Sequence, residues 1–264
     1  MADKDESYVF PWGFHLGDLH KENESIPLYT GSNDGGFCLL YDKISESKAD
    51  NLLESLCLEI LSNMPNKSLE IDLFDFGKKK FYHLSPLQYI ELFKTAYTSE
   101  MMSKLFERLE KTIVSRHTDL LCCNRPTIDA HNQKSKMKQQ YHLVLINLEN
   151  FPTDEIELRR INNFVESAYT AGVYVIAFGN TEIEKSESKT VQSILNHFKK
   201  LRVRENEFEI NKEIFEFVEL LEDHSFEGLD LDKARLMEKV LTQANLEMLM
   251  DPSNIRLETD TKVK

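Results

Sequence analysis

The sequence predicts an α/β fold, a mostly parallel sheet flanked by helices, and three observations carry that expectation. Two segments, Tyr141-His-Leu-Val-Leu-Ile146 and Val173-Tyr-Val-Ile-Ala-Phe178, are apolar almost throughout, as strands buried on both faces of a parallel sheet are. Amphipathic stretches at helical spacing alternate with these and with shorter apolar runs, the order that βαβ crossovers produce. With 264 residues, 41% of them hydrophobic, the chain is long enough to bury one substantial core.

Taken in order, residues 1–35 are polar and rich in turn formers, including Pro11, Gly13, Gly17, Pro27, Gly31 and Gly35, and read as an irregular lead-in with one short strand at most. The first core strand is expected at 37–42. The following helix takes a cap at Ser47 with Asp50 three residues on, and its apolar positions Ala49, Leu52, Leu53, Leu56, Cys57, Ile60 and Leu61 recur at helical spacing up to Asn63, before Pro65. Leu69 to Phe76 reads as a second strand running into Gly77. Lys78, Lys79 and Lys80 then form a basic turn of the kind usually solvated. From Ser99 to Leu121, Met102, Leu105, Phe106, Leu109, Ile113, Leu120 and Leu121 form the apolar stripe of a long helix, with Glu107, Arg108, Glu110 and Lys111 on its wet side. Residues 124–140 read as a polar loop before the strand 141–146. A helix from Asp154 to Ala171, a strand at 173–178, a helix near 188–200, a strand at 201–204, and helices at 211–222 and 231–249 follow. The tail beyond Pro252 reads as frayed or as an interaction segment.

Composition narrows the function classes. With 45 acidic against 32 basic residues the formal net charge is −13, which argues against a free-standing binder of duplex DNA held by phosphate neutralisation. Cys38, Cys57, Cys122 and Cys123 contain no CxxC pair and read as reduced, buried thiols of a cytosolic protein. Met-Ala-Asp-Lys-Asp-Glu-Ser at the N-terminus lacks the basic and apolar parts of a signal peptide, and no apolar stretch approaches the ~18 residues of a membrane span. A soluble, cytoplasmic protein without membrane insertion is expected.

The strand–turn–helix unit around 36–61 is where a phosphate-binding loop would sit. Such a loop needs glycines, so that backbone N–H groups can curl around phosphate oxygens, a lysine to neutralise them, and a hydroxyl to ligate magnesium. Between Gly36 and Gly77 there is no glycine. The unit persists while its phosphate chemistry does not.

Read together, the pieces resemble the FtsK/SpoIIIE (HerA-FtsK) group of RecA-like P-loop ATPases over roughly residues 9 to 205. Asp75-Phe76-Gly77-Lys78, then Phe81 and Leu84, stand where that family has an Asp-Phe-Lys-Gly-Gly-like turn. Ser115-Arg116-His117, Leu120-Leu121 and His131-Asn132 resemble its long helix and the turn that follows, and Gly172-Val173-Tyr174 its Gly-Val-His strand. Gly179-Asn180 replaces the glutamine that usually ends that strand. Within this resemblance the expected organisation is a lead-in (1–35), a degenerate FtsK-like RecA-type domain (36–205), and a C-terminal helical extension and tail (206–264).

The resemblance also implies where a nucleotide site has decayed. Aligned on Leu52-Leu53, Ala49 occupies the P-loop lysine position and Asp50 that of the magnesium-ligating hydroxyl; a shift of one residue restores Lys48 but follows it with Ala49. After Leu143-Val-Leu-Ile146 the family has Asp-Glu, and this chain has Asn147 and Leu148, which supply neither a magnesium carboxylate nor a base for the attacking water. Strand alternation would place Glu149 on the same side as Asn147, where it could compensate. Asp75 stands in the Asp75-Phe76-Gly77-Lys78 segment that replaces the family's turn.

Other groupings read as structural. His15, Asp18 and His20 form a short polar spacing near the terminus. Cys122 and Cys123 with His117 and His131 lack a second pair and, being adjacent, splay apart rather than converge on zinc. His142 opens a buried strand. Lys134, Lys136 and Lys138, and Lys199, Lys200, Arg202 and Arg204, are basic groups of the kind that form solvated faces. No nucleophile elbow marks a hydrolase.

The resemblance implies a catalytically inactive pseudo-ATPase, a structural or regulatory subunit of a larger complex linked to DNA transactions or defence. Its expected partner is a protein, an active motor, nuclease or secretion component, in a homo- or hetero-oligomer, with DNA reached only indirectly and no cofactor. The alternatives are an atypical, weak nucleotide-binding enzyme using ATP and magnesium through Lys48, Asp75 and Glu149, and a stand-alone protein-binding module.

Overall fold

Residues that alternate along the central strands end up in two different cores, one on each face of a single sheet. The computed structural model describes residues 8–79, 81–151 and 155–250. Two strands, β1 (Gly13–Lys21) and β2 (Glu24–Gly31), precede β3 (Gly36–Tyr41), the first strand of the main sheet. Helix α1 (Glu46–Asn63) leads to β4 (Leu69–Phe74), and β5 (Phe93–Ala96) is followed by α2 (Ser99–Asp119) and α3 (Ile128–Lys134). Then come β6 (Tyr141–Asn147), α4 (Glu155–Ala168), β7 (Val173–Asn180), α5 (Lys189–His197), β8 (Lys200–Arg204) and β9 (Glu207–Glu209). Strand β10 (Ser225–Gly228) and helix α6 (Lys233–Met250) complete it.

The main sheet has the order β5-β4-β6-β7-β3-β8-β9. Every neighbouring pair is parallel except β8 with β9, which turns back on itself. On one face, Phe37, Leu39, Ile71, Leu73, Leu145 and Ile176 pack with Leu52, Leu53 and Leu56 of α1 and with Val240 of α6. The residues between them, Cys38, Leu40, Val144, Ile146, Val175 and Ala177, face α2, α4 and α5 through Leu109, Phe164 and Ile194. No helix among the described residues is long and apolar enough to cross a membrane.

Residues 13–31 correct the expected irregular lead-in. β1 pairs antiparallel with β2 and with β10, giving a second sheet of order β10-β1-β2. Its alternation is hidden by a bulge between His15 and Gly17, which shifts the buried positions from Phe14 and Leu16 to Leu19. Gly17 sits at φ +144°, where a Cβ would stand 2.1 Å from the carbonyl oxygen of Glu227. Pro27, which argues against a central strand, lies on the edge strand β2. This sheet joins the N-terminal segment to the C-terminal one, so 206–250 is not simply a helical extension.

Three further segments differ from expectation. The helix expected at 211–222 is replaced by turns and a single 3-10 turn, Val218–Leu221. There the Asn211 side chain accepts from the backbone N–H groups of Glu213 (2.9 Å) and Ile214 (3.3 Å), a local alternative to helix. The polar loop 124–140 contains α3, capped by Thr127, whose Oγ1 accepts from Ala130 N at 3.2 Å. Helix α1 begins at Glu46, with Ser45 rather than Ser47 at its N-cap. The tail beyond Pro252 and residues 1–7 lie outside the described residues.

Candidate functional site

In an open parallel sheet the strand C-termini leave a crevice where the connections diverge. Here the C-terminal ends of β3 and β4 and the first turns of α1 border an open cleft of about 710 Å³, lined among others by Lys43, Glu46, Asp50, Lys79, Tyr82 and His83.

In the turn from β3 into α1 a carboxylate of the chain itself takes two of the turn amides that a phosphate cradle would use. Asp42 accepts from the backbone N–H groups of Ser45 (2.8 Å), Ile44 (3.1 Å) and Glu205 (2.7 Å). The Glu205 amide, the Ser45 hydroxyl and the two turn amides hold the Asp42 carboxyl below the usual carboxylate range. Ser45 Oγ in turn accepts from Asn206 N at 2.9 Å.

Of the basic turn expected to be solvated, Lys78 is exposed, Lys79 is not, and Lys80 lies outside the described residues. Gly77, at φ +77°, redirects the chain after β4, and Lys79 is only 4% exposed. Its ammonium donates to Glu46 Oε1 at 2.6 Å and to both oxygens of Asp50, at 2.8 and 2.9 Å, and lies 4.9 Å from the centre of the Tyr41 ring. The hydrogen bond from Lys79 lowers the Glu46 pKa. Burial raises that of Asp50, outweighing the same lysine.

Directly after β4, Asp75 is fully buried and accepts from Lys79 N, from Asn147 Nδ2 at 3.0 Å and from Asn150 Nδ2 at 3.4 Å. Glu149 reaches the same region for a different reason from the one expected. It sits on a 3-10 turn, Leu148–Asn150, not on the strand, and its carboxylate accepts from Asn180 N (2.9 Å) and the Tyr41 hydroxyl (3.2 Å) and pairs with Lys78.

Asp50, Asp75, Asn147 and Glu149 are therefore gathered at the ends of β3, β4 and β6. The other three sequence positions are not. Lys48 turns away to Asn206 O, 2.7 Å from it, and lies 5.3 Å from the centre of the Phe208 ring. Ala49 is buried in the core beneath α1, and Leu148 in the core on the opposite face. Sequence reasoning missed Asp42, Glu46 and Lys79. The one available signal was Gly77, a residue suited to a left-handed turn directly before the lysines.

An anion entering this cleft meets Glu46 and Asp50, whose shared lysine is already engaged. The geometry suits a self-neutralised polar joint between α1 and the segment after β4.

Elsewhere, Glu70, Asp72 and His142 are buried and close enough to hold a metal ion. Their ligand atoms are engaged: Arg108 Nη2 donates to Glu70 Oε1 and Asp72 Oδ1, both at 2.5 Å, Lys94 to Glu70 at 2.7 Å, and His142 Nδ1 lies 3.1 Å from Asp72. His15 meets Glu59 at 3.0 Å and stacks on Tyr29, while His20 lies 3.6 Å from Glu227. His117 contacts Ser167 O and His131 contacts Met137 O, both at 3.1 Å, and Cys122 and Cys123 are exposed rather than buried. Lys199 pairs with Asp34, Arg202 with Glu184 and Arg204 with Glu209; Lys134 and Lys138 donate to backbone carbonyls.

No known family profile matches the sequence, and no curated protein matches it. Solved structures do. The EssC structure containing ATPases 2 and 3 from Geobacillus thermodenitrificans aligns with a TM-score of 0.60 at 13% identity, over 92% of this chain and 50% of that one. The pCW3 conjugation coupling protein TcpA, in its monomer form with ATPgS, aligns with a TM-score of 0.58 at 14% identity, over 90% of this chain and 72% of that one. EccC (ATPases 2 and 3) from Thermomonospora curvata, in complex with a signal sequence peptide, aligns with a TM-score of 0.54 at 15% identity, over 75% of this chain and 37% of that one. The chain thus shares the fold of these secretion and conjugation ATPase structures, a mostly parallel sheet flanked by helices, and spans about half the length of the EssC structure.

Proposed function

We propose that this chain is an FtsK-like pseudo-ATPase, a domain that keeps the RecA-like fold without nucleotide hydrolysis and serves as a structural or regulatory subunit for a protein partner. The observation that carries this reading is the salt-bridged Lys79 between Glu46 and Asp50, beside a β3–α1 turn in which Asp42 takes the Ile44 and Ser45 amides. Phosphate binding needs free amides and net positive charge at that place. Asn147 in the position of a magnesium carboxylate supports the same reading, as does the net charge of −13, which favours a protein over naked DNA. A cytoplasmic location and a role beside an active motor or secretion component belong to this proposal; EccC, with the same fold, is a type VII secretion ATPase.

Calorimetric titration with ATP and with a non-hydrolysable analogue, magnesium present, tests it. Absence of heat and of thermal stabilisation at millimolar nucleotide is the expected result. Binding that weakens in Glu149→Gln overturns it in favour of a rearranged nucleotide site.

A further inference from the structure

Outside the cleft, the chain carries a pair of adjacent thiols that the proposed function does not use. Cys122 and Cys123 are exposed, whereas Cys38 and Cys57 are buried. They occupy the first two positions of a tight turn between α2 and α3, closed by Cys122 N donating to Arg125 O (3.0 Å) and Arg125 N donating to Cys122 O (2.8 Å). On a turn, the alternation that would splay neighbouring strand residues does not apply.

The surroundings of Cys122 favour reaction. Its thiol donates to Asn124 Oδ1 at 3.0 Å. The Arg125 side chain, with the amides of Asn124 and Arg125, holds the thiol below its ordinary range. Burial does the reverse in the core, pushing Cys38 up to about 12 and raising Cys57 as well. An accessible thiol beside a guanidinium with a second thiol next to it is the arrangement of a redox-responsive site.

We propose that Cys122 and Cys123 form an oxidation site, a vicinal dithiol that hydroperoxides convert reversibly to a disulfide between the two neighbouring residues. The Cys122 thiolate attacks one peroxide oxygen, the O–O bond breaks, and the departing oxygen leaves as an alcohol or water after taking a proton. The Cys123 thiolate then attacks the resulting sulfenic sulfur; the S–O bond breaks and water leaves. The dithiol loses two electrons and the peroxide gains them. Neighbouring Cα atoms stand ~3.8 Å apart, shorter than the roughly 4.4–6.8 Å usual for a disulfide, so the ring is strained and readily reduced.

Intact mass and peptide mapping of the full chain, treated with hydrogen peroxide and then with dithiothreitol, test the proposal. The expected product has lost two hydrogens, links Cys122 to Cys123, and reverts on reduction. Cys123→Ser halts at a sulfenic acid on Cys122 that dimedone traps, and Cys122→Ser reacts at least about threefold more slowly than the native chain, as loss of the more ionised thiol requires. Equal rates for the native chain and Cys122→Ser, or a disulfide joining two chains instead of neighbours, overturn it.

Discussion

Lys79 and Asp50 form a two-pronged ion pair, with the ammonium 2.8 and 2.9 Å from the two carboxylate oxygens. Glu46, one helical turn earlier on α1, shares the same ammonium at 2.6 Å. The lysine thus pins the start of α1 to the segment after β4. Replacing it strands two carboxylates against each other. Lys79→Met is expected to destabilise the chain by about 1–3 kcal/mol, the upper part of that range being limited by solvent screening of Glu46 and Asp50. The urea unfolding midpoint measures it, and an unchanged midpoint contradicts the pinning role.

Asp42 gives the turn a defined pH response. Its pKa is lowered in the folded chain, so the stability it contributes is present above its ordinary value of 3.8 and is lost as the pH falls through the folded value. Asp42→Asn lacks that contribution. The difference in Tm between the native chain and this variant is expected to be largest at neutral pH and to shrink below 3.8. A difference constant across that range rules out the carboxylate as its source.

How far the sequence announces this molecule differs from one element to the next. β6 and β7 are legible because burial on both faces demands continuous apolar residues, and α2 because its stripe has helical period. The second sheet is not. The bulge at His15–Gly17 breaks the period of β1, and the partner strand β10 lies near the other end of the chain, beyond any local signal. At the site, Asn147 is legible as the polar residue that ends the apolar run of β6. Lys79 is not, since only the three-dimensional approach of Glu46 and Asp50 distinguishes it from its solvated neighbour Lys78.

Gly36 tests the join between β3 and β7. It lies at φ +149°, and a Cβ there would stand 1.7 Å from the carbonyl oxygen of Val175. No rotation of a flexible side chain relieves contact with backbone. Gly36→Ala is expected to cost about 3 kcal/mol or more, read as a fall in the denaturation midpoint; a loss under about 1 kcal/mol shows that the strands separate freely there.

Asn147→Asp asks whether the fold tolerates a second carboxylate beside the buried Asp75. In the native chain Asn147 Nδ2 donates to Asp75 Oδ1 at 3.0 Å, while Asn147 Oδ1 accepts from Glu149 N at 3.1 Å. Both Asp75 and Asn147 are fully buried. The aspartate keeps the acceptor and loses the donor, so two carboxylates face each other at hydrogen-bond distance with no water between them to screen the repulsion. One must take a proton for the pair to stay. The variant is expected to be less stable than the native chain by about 2–4 kcal/mol at pH 8, with a smaller deficit at pH 5, where a shared proton restores the lost hydrogen bond. Urea unfolding at the two pH values measures both. A deficit that does not change with pH points to lost packing instead of charge. Adding magnesium provides a further readout: recovery of the midpoint would mean that Asp75 and the new carboxylate form a cation site once the amide is gone.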